Sequence, residues 1–300
     1  MRFVPNITSD VIANIQQSDQ NVANALQQVS TGQRVSLPSD DPAASAAVLQ
    51  LQAESANIDQ YTANADSALA QAQTADSVVS SVVSLLNQAV TLGTEGANGT
   101  ESATDRQAIA TSVKGLLSNV VGLANTTYQG VAIFGGTTNG QAAFTVSATS
   151  STGYQYNGNT TINSVQIGES LSVQTSIPGS TLFDNPGSSV LGALSGLASA
   201  LASGTSTDIG NATAAVTSAL SYVSEQHVVY GSAINQINAQ ETYLSQDKVT
   251  LSSEATSLVG IDTATAAEDL TSAEENNSAV LAASSKVLQN TLLNYLATPS

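Results

Sequence analysis

The chain contains no cysteine and no tryptophan, one methionine, one histidine and six lysines and arginines among 300 residues. The first absence excludes disulfides, thiolate nucleophiles and cysteine-ligated zinc or iron–sulfur centres. Against 23 acidic side chains the six basic ones leave a net charge of -17, a balance that disfavours nucleic acid as a partner. Charged residues make up 10% of the chain, against roughly 25% in an ordinary globular protein, so its polar surface has to come from Ser, Thr, Asn and Gln. With four phenylalanines, the core has to be thin and aliphatic. The 41% hydrophobic content nevertheless departs from the composition of a disordered chain, which is poor in apolar residues and rich in charge. No apolar run approaches the roughly 18 residues of a membrane span. Arg2 is followed by Phe3-Val4-Pro5-Asn6 and a polar helical pattern, so no basic-then-apolar secretory leader is expected. The expectation is a chain that does not insert into membranes, and that is either soluble in the cell or leaves it without a cleaved signal.

What is present is periodicity. Positions 11, 15, 18, 22, 25 and 29 carry Val, Ile, Ser, Val, Ala and Val, a heptad-like stripe on one helix face. It ends at Ser30-Thr31-Gly32, and Pro38 and Pro42 forbid an uninterrupted helix beyond it. Asp41 suits the N-cap of the next helix, with Pro42 at its first position. That helix is expected over about 42–92, on a four–three stripe from Val48 to Val90. A Gly-rich turn over 93–103 leads to a third helix through Ile109, Val113, Leu116, Val120 and Leu123, for which Thr104 and Gln107 resemble a capping box.

From 130 to about 186 the texture changes. Segments 143–146, 154–156, 161–167 and 171–175 alternate and are rich in β-branched and aromatic residues, as strands are, and Asn157-Gly158 is a hairpin signal. A short helix through Val190, Leu194, Leu197 and Leu201 closes this insert, followed by a turn over 204–208. A second long stripe then steps from Val216 to Leu258 with His227 and Lys248 among its positions, and a terminal helix runs through Leu270, Ala273, Val280, Leu281, Leu288, Leu292 and Tyr295. The two long stripes match in length and rhythm and are expected to pack antiparallel, since one apolar seam cannot stabilise itself in water. The terminal seams admit two arrangements: packing on one another within a subunit, or remaining loose until other subunits supply the missing surface.

Catalytic constellations are scarce. His227 lies on an apolar seam, and Glu225 and Gln226 beside it lack metal-ligand spacing. No phosphate-binding loop, dinucleotide fingerprint or nucleophile elbow occurs. Asp40-Asp41 is better explained by helix capping than by a catalytic carboxylate pair. Arg34 in the same loop has Asp40, Asp41 or a neighbouring subunit as possible partners. Tyr154 and Tyr156 suit either an aromatic binding platform or cross-strand packing, the second being favoured. No enzyme activity and no cofactor or metal is expected.

The segment Ser30-Thr31-Gly32-Gln33-Arg34-Val35-Ser36-Leu37-Pro38-Ser39-Asp40-Asp41-Pro42 resembles the S-T-G-x-R-V-x-x-P-S-D-D-P element of the bacterial flagellin superfamily. The Pro-Ser-Asp-Asp-Pro form is more like that superfamily's hook–filament junction branch, hook-associated protein 3, than filament flagellin. Asn125-Thr126, Tyr154-Gln155-Tyr156-Asn157-Gly158, Val165-Gln166-Ile167-Gly168, Ile177-Pro178-Gly179 and Phe183 are similar to the junction pattern. Leu292-Leu293-Asn294-Tyr295-Leu296 resembles its F-N-Y-L terminus, with Leu293 departing from Phe.

The resemblance implies an α+β chain: an elongated antiparallel long-helix bundle, a flagellin-like rod, with a small inserted β domain and terminal helices able to form coiled coils on assembly. The expected divisions are 1–41 (assembly helix and loop), 42–129 (first half of the rod), 130–205 (β insert with closing helix), 206–260 (second half of the rod) and 261–300 (C-terminal assembly helix). The resemblance further implies unfolded export through the flagellar channel and a structural role at the hook–filament junction, outside the cell. Its implied partners are copies of the chain itself in a ring or short helical layer, hook-associated protein 1, flagellin and a flagellar export chaperone, with neither nucleic acid nor membrane insertion. Val11, Ile15, Val22, Val29, Arg34, Pro38, Asp40, Asp41, Pro42, Val280, Leu288, Leu292 and Tyr295 are the candidate assembly residues. Filament flagellin and, further off, a surface adhesin using the β insert are the alternatives.

Overall fold

The computed structural model describes the backbone of residues 7–138 and 140–296, and the side chains of 9–138 and 140–287. Among these residues the chain forms α1 (Ile7–Thr31), α2 (Pro42–Gly96) and α3 (Ala103–Ala124) before the insert. The insert holds β1 (Thr127–Tyr128), β2 (Val131–Ala132), β3 (Phe144–Val146), β4 (Tyr154–Tyr156), β5 (Ser164–Gln166), β6 (Ser172–Gln174) and the short α4 (Gly179–Leu182). Then follow α5 (Val190–Ser203), α6 (Ser206–Val259) and α7 (Thr263–Leu296). The chain divides into two compact units, one of residues 1–56 with 247–300 and the other of 57–246, so α2 and α6 each contribute to both.

Within the larger unit the core is built by α2, α3, α5, α6 and the insert together. On α2 the fully buried positions are Ala65, Ala68, Ala72, Ala75, Val79, Val82, Leu86 and Ala89, an alternation of three and four that continues through Gly93 and Gly96. The stripe expected from the sequence shares Ala65, Ala72, Val79 and Leu86 with this seam. Its Ile58 is buried as well, while Leu69, Val83 and Val90 are half-buried beside the seam, because small alanines that fit a close helix contact are inconspicuous beside valine and leucine. Gly96 shows how close that contact is: a β-carbon there would fall on Leu201 Cδ2 of α5. One window of α2 is apolar and long enough, by composition, to cross a membrane, contrary to the sequence expectation, and a third of it is buried inside the protein.

Helices α2 and α6 pack antiparallel here. A β-carbon on Gly93 would meet Thr213, Asp76 meets His227, and Ala65, Ala68 and Ala72 cluster with Ala233 and Ile237, so the numbers rise on one helix as they fall on the other. His227 Nε2 lies 2.9 Å from Asp76 Oδ1, a structural tie between the two helices.

The strands form three separate antiparallel ladders, β1–β2, β3–β4 and β5–β6. They are held by packing as much as by pairing. Phe183 meets Phe134 edge-on at 5.2 Å and Phe144 at 5.8 Å, and Phe144 meets Tyr156 at 5.2 Å. Tyr156 also donates its hydroxyl to Phe134 O or Asn159 O, at 2.9 and 2.8 Å, so its ring and hydroxyl are both engaged internally rather than forming a platform. Asn125, just past α3, bonds both backbone groups of Phe144, at 2.8 Å each.

Three local expectations are corrected. The N-cap of α3 is Ser102, which accepts from Asp105 N at 3.2 Å and donates to Asp105 Oδ2 at 2.6 Å; this pair forms the cap two residues before Thr104. The stretch 206–208 is the first turn of α6, not a loop, since Thr205 Oγ1 accepts from Asp208 N while Asp208 Oδ2 accepts from Thr205 N and Oγ1. These two bonds hold the Asp208 carboxyl below its usual pKa, the hydroxyl contributing most. Finally, Asn157-Gly158 follows β4 instead of joining two strands. The tight hairpin turn is Gln129-Gly130, with φ of 51° and 81°, the two positive values such a turn requires.

Candidate assembly interface

The smaller unit gathers both chain ends. Burial on α1 recurs at Val11, Ile15, Ser18, Val22, Ala25 and Val29, the stripe seen in the sequence, and α7 packs on α1. On α7 the protected positions are Ala266, Leu270, Ala273, Asn277, Val280 and Ser284. The two helices thus pack on one another, as in the first arrangement allowed by the sequence. The seam is narrow: Ile12 is 52%, Leu26 56% and Leu281 49% exposed, leaving large apolar side chains uncovered beside it. The side chains of Leu288, Leu292 and Tyr295 lie outside the described residues.

The loop between α1 and α2 is a built connector. At the end of α1, Gly32 takes φ of 68°, the left-handed conformation that glycine adopts without a Cβ penalty, and donates its N–H to Gln28 O at 2.8 Å. The chain then lies along the break between α6 and α7: Arg34 N donates to Val259 O at 2.7 Å and Ile261 N to Gly32 O at 3.1 Å. Arg34 Nη2 adds bonds to Leu258 O at 3.1 Å and Asp41 Oδ2 at 3.2 Å. Of the partners open to Arg34 in the sequence, the structure selects Asp41 together with the end of α6.

The adjacent aspartates divide their work. Leu37-Pro38-Ser39-Asp40 is a turn closed by Asp40 N on Leu37 O at 3.0 Å, with proline at the position where its fixed φ is favoured. Asp40 Oδ2 accepts from Ser36 N at 3.2 Å and Leu37 N at 2.9 Å. Asp41 caps α2, its Oδ1 accepting from Ala44 N at 3.0 Å, with Pro42 at the first helical position. The Ala44 N–H first, and Arg34 second, hold the Asp41 carboxyl below the usual carboxylate range. Beside this loop Asn24, Gln27, Gln28, Arg34, Ser36 and Asp40 line a polar cleft of about 340 Å³. No group of three or more His, Cys, Asp or Glu side chains converges among the described residues. What the arrangement offers is shape and backbone pairing.

The model of the bacterial flagellin N-terminal helical region matches residues 6–139. Flagellar hook-associated protein 3 of Escherichia coli strain K12 is 37% identical over 102 residues, 34% of this chain and 32% of that relative; the matched stretch therefore spans about a third of the relative's length. Among solved structures, a flagellar hook-associated protein of Vibrio parahaemolyticus superposes with a TM-score of 0.67 at 21% identity, over 74% of this chain and 100% of that one. Hook-associated protein 3 of Legionella pneumophila gives 0.63 at 13% identity, over 70% and 98%. At these identities the structural likeness establishes the fold.

Proposed function

We propose that the chain is a member of the flagellin and hook-associated protein superfamily, on the match over residues 6–139 and the likeness to hook-associated protein 3, and that it is a non-catalytic structural protein of the hook–filament junction. It leaves the cell through the flagellar export route, escorted by an export chaperone, and works outside the cell. It assembles there with copies of itself as a ring or short helical layer, between hook-associated protein 1 and flagellin, and it takes up neither nucleic acid nor membrane. The observation that carries this reading is the built loop of residues 30–44. The segment with the junction-type sequence holds the end of α1, the start of α2 and the α6–α7 break together through Arg34, Asp40 and Asp41. Such a connector presents the paired terminal helices, with Ile12, Leu26 and Leu281 uncovered, as a unit to neighbouring subunits. Burial of such side chains between subunits drives association in the usual way.

The test is assembly on defined ends. Purified chain is added separately to filament-less hooks carrying hook-associated protein 1 and to short flagellin seeds, and the products are imaged. A layer of limited thickness on the hooks that then accepts flagellin is the expected result. Long homopolymers on the seeds would instead identify a filament flagellin, and absence of attachment to either end would overturn the assembly role. Deleting residues 270–300 is expected to abolish attachment while the unit of residues 57–246 stays folded.

A further inference from the structure

Asparagine followed by glycine is the pair at which a peptide chain modifies itself most readily, since glycine leaves its backbone nitrogen free to swing onto the asparagine carboxamide. The sequence holds three such pairs, Asn98-Gly99, Asn139-Gly140 and Asn157-Gly158, of which Asn139 lies outside the described residues. The other two have opposite surroundings. Asn98 and Gly99 are exposed in the turn between α2 and α3, and a β-carbon on Gly99 would meet nothing within 4 Å. Gly99 N–H has no acceptor among the described residues. Thr100 N donates to Asn98 Oδ1 at 3.5 Å, so the carboxamide is folded forward over the Gly99 peptide, as in an Asx-turn. Asn157 instead donates its backbone N–H to Ala143 O at 2.8 Å and its Nδ2 to Thr145 Oγ1 at 2.9 Å. The Tyr156 hydroxyl and Gly135 O fill the space beside the Gly158 α-carbon.

We propose that Asn98 is a site of self-modification by deamidation, and that of the two described pairs the fold confines the reaction to this one. Gly99 N gives its proton to solvent and attacks Asn98 Cγ. The Cγ–Nδ2 bond breaks, and ammonia leaves with a proton taken from water. The resulting succinimide then takes up a water at either of its carbonyls. Opening at one gives aspartate at position 98 and opening at the other gives isoaspartate, so the balance is a water gained for an ammonia lost, with no redox change. Either product adds a carboxylate to a stretch that already holds Glu95 and Glu101. Isoaspartate also takes the original C=O of residue 98 out of the main chain, and with it the acceptor of Glu101 N at 3.1 Å, the bond that leads into the Ser102 cap of α3. An aged copy of the chain therefore differs from a new one at the start of α3. The reaction is a property of the chain itself and stands apart from the junction reading.

The experiment holds the full-length chain in mildly alkaline buffer made with heavy-oxygen water and samples it over weeks. Peptides are mapped by mass spectrometry with electron-based fragmentation, which separates isoaspartate from aspartate. Deamidation at Asn98 with uptake of heavy oxygen is expected, running roughly tenfold or more ahead of Asn157, which reacts only after local opening. In concentrated guanidinium the fold is gone and the two sites should converge to within about twofold. Gly99→Ala, for which there is open space, should slow the reaction at Asn98 several-fold and leave the fold unchanged. Amide exchange at Asp105 and Arg106, whose N–H groups bond Ser102, should speed by about fivefold in the isoaspartate-bearing fraction, as for a weakened cap. An Asn98 that stays intact, equal rates at both sites in the folded chain, a lead for Asn98 undiminished in guanidinium, or a Gly99→Ala variant as fast as the parent would each overturn the proposal.

Discussion

Asn125 offers the sharpest test of how the insert is held to the helices. In the β3–β4 ladder Asn157 N donates to Ala143 O and Ser147 N to Gly153 O, so the bonded pairs fall on odd-numbered residues of β3 and Phe144 turns its own N–H and C=O away from β4. Both are taken by the Asn125 carboxamide, at 2.8 Å each. Phe144 is 2% exposed, so water has little access to replace them. Asn125→Ala strips two buried backbone groups of their partners at about 1–2 kcal/mol each, a loss of about 2–4 kcal/mol in all. Urea unfolding followed by tyrosine fluorescence measures it, and amide exchange at Phe144 should accelerate by about 30-fold or more, tenfold per 1.4 kcal/mol. Asn125→Asp separates the two bonds. It keeps the acceptor for Phe144 N–H but sets a carboxylate oxygen against Phe144 O, which favours the protonated acid and raises its folded pKa above the ordinary value of about 3.9. Stability of that variant is therefore present below the ordinary value and lost as pH rises through the folded one. An alanine variant within about 0.5 kcal/mol of the parent, or an aspartate variant indifferent to pH, would refute the reasoning.

Other consequences follow from burial and charge. Leu86→Ala, at a fully buried seam position, should cost about 2–5 kcal/mol in thermal or urea unfolding, whereas Leu26→Ser, at a largely exposed one, should leave stability unchanged and instead reduce attachment to filament-less hooks. Asp41→Asn should weaken the start of α2, seen as faster exchange at residues 44–48. In the parent that contribution is present above the ordinary carboxylate pKa and lost as pH falls through the depressed folded value, so parent and variant should converge in strong acid. Glu241 has a carboxyl raised by burial and by the nearby Asp66 charge, with one oxygen buried and unbonded. Its ionisation opposes folding at neutral pH, so Glu241→Gln should raise the melting temperature at pH 7 and lose that advantage as pH drops below the ordinary glutamate value.

Much of the helical architecture could be read from the amino-acid sequence, because a four–three stripe on a long helix is a local property. Val11 to Val29, Val216 to Leu258 and the Asp41-Pro42 cap are legible from spacing and side-chain chemistry alone. The strand segments near 144, 154, 164 and 172 were legible for the same reason, through alternation and β-branching. Local signals mislead where several compete and only a partner decides. Ser102 outcompetes Thr104 as a cap because Asp105 lies within reach of its hydroxyl, and Gln129 adopts positive φ because β1 and β2 need that turn.

Composition and periodicity by themselves determined a charge-poor, cysteine-free chain of long amphipathic helices around a β-rich insert, since those features depend on residue type and spacing. Tertiary structure alone decided which of two overlapping stripes on α2 is the buried one, that Arg34 pairs with Asp41 and the end of α6, that Asn125 serves as a surrogate strand for Phe144, and that Asn277 meets Asp19. Each of these joins residues far apart in the chain, or chooses among near-equivalent alanines and polar side chains. Local propensity is silent on such choices, and the geometry of close approach settles them.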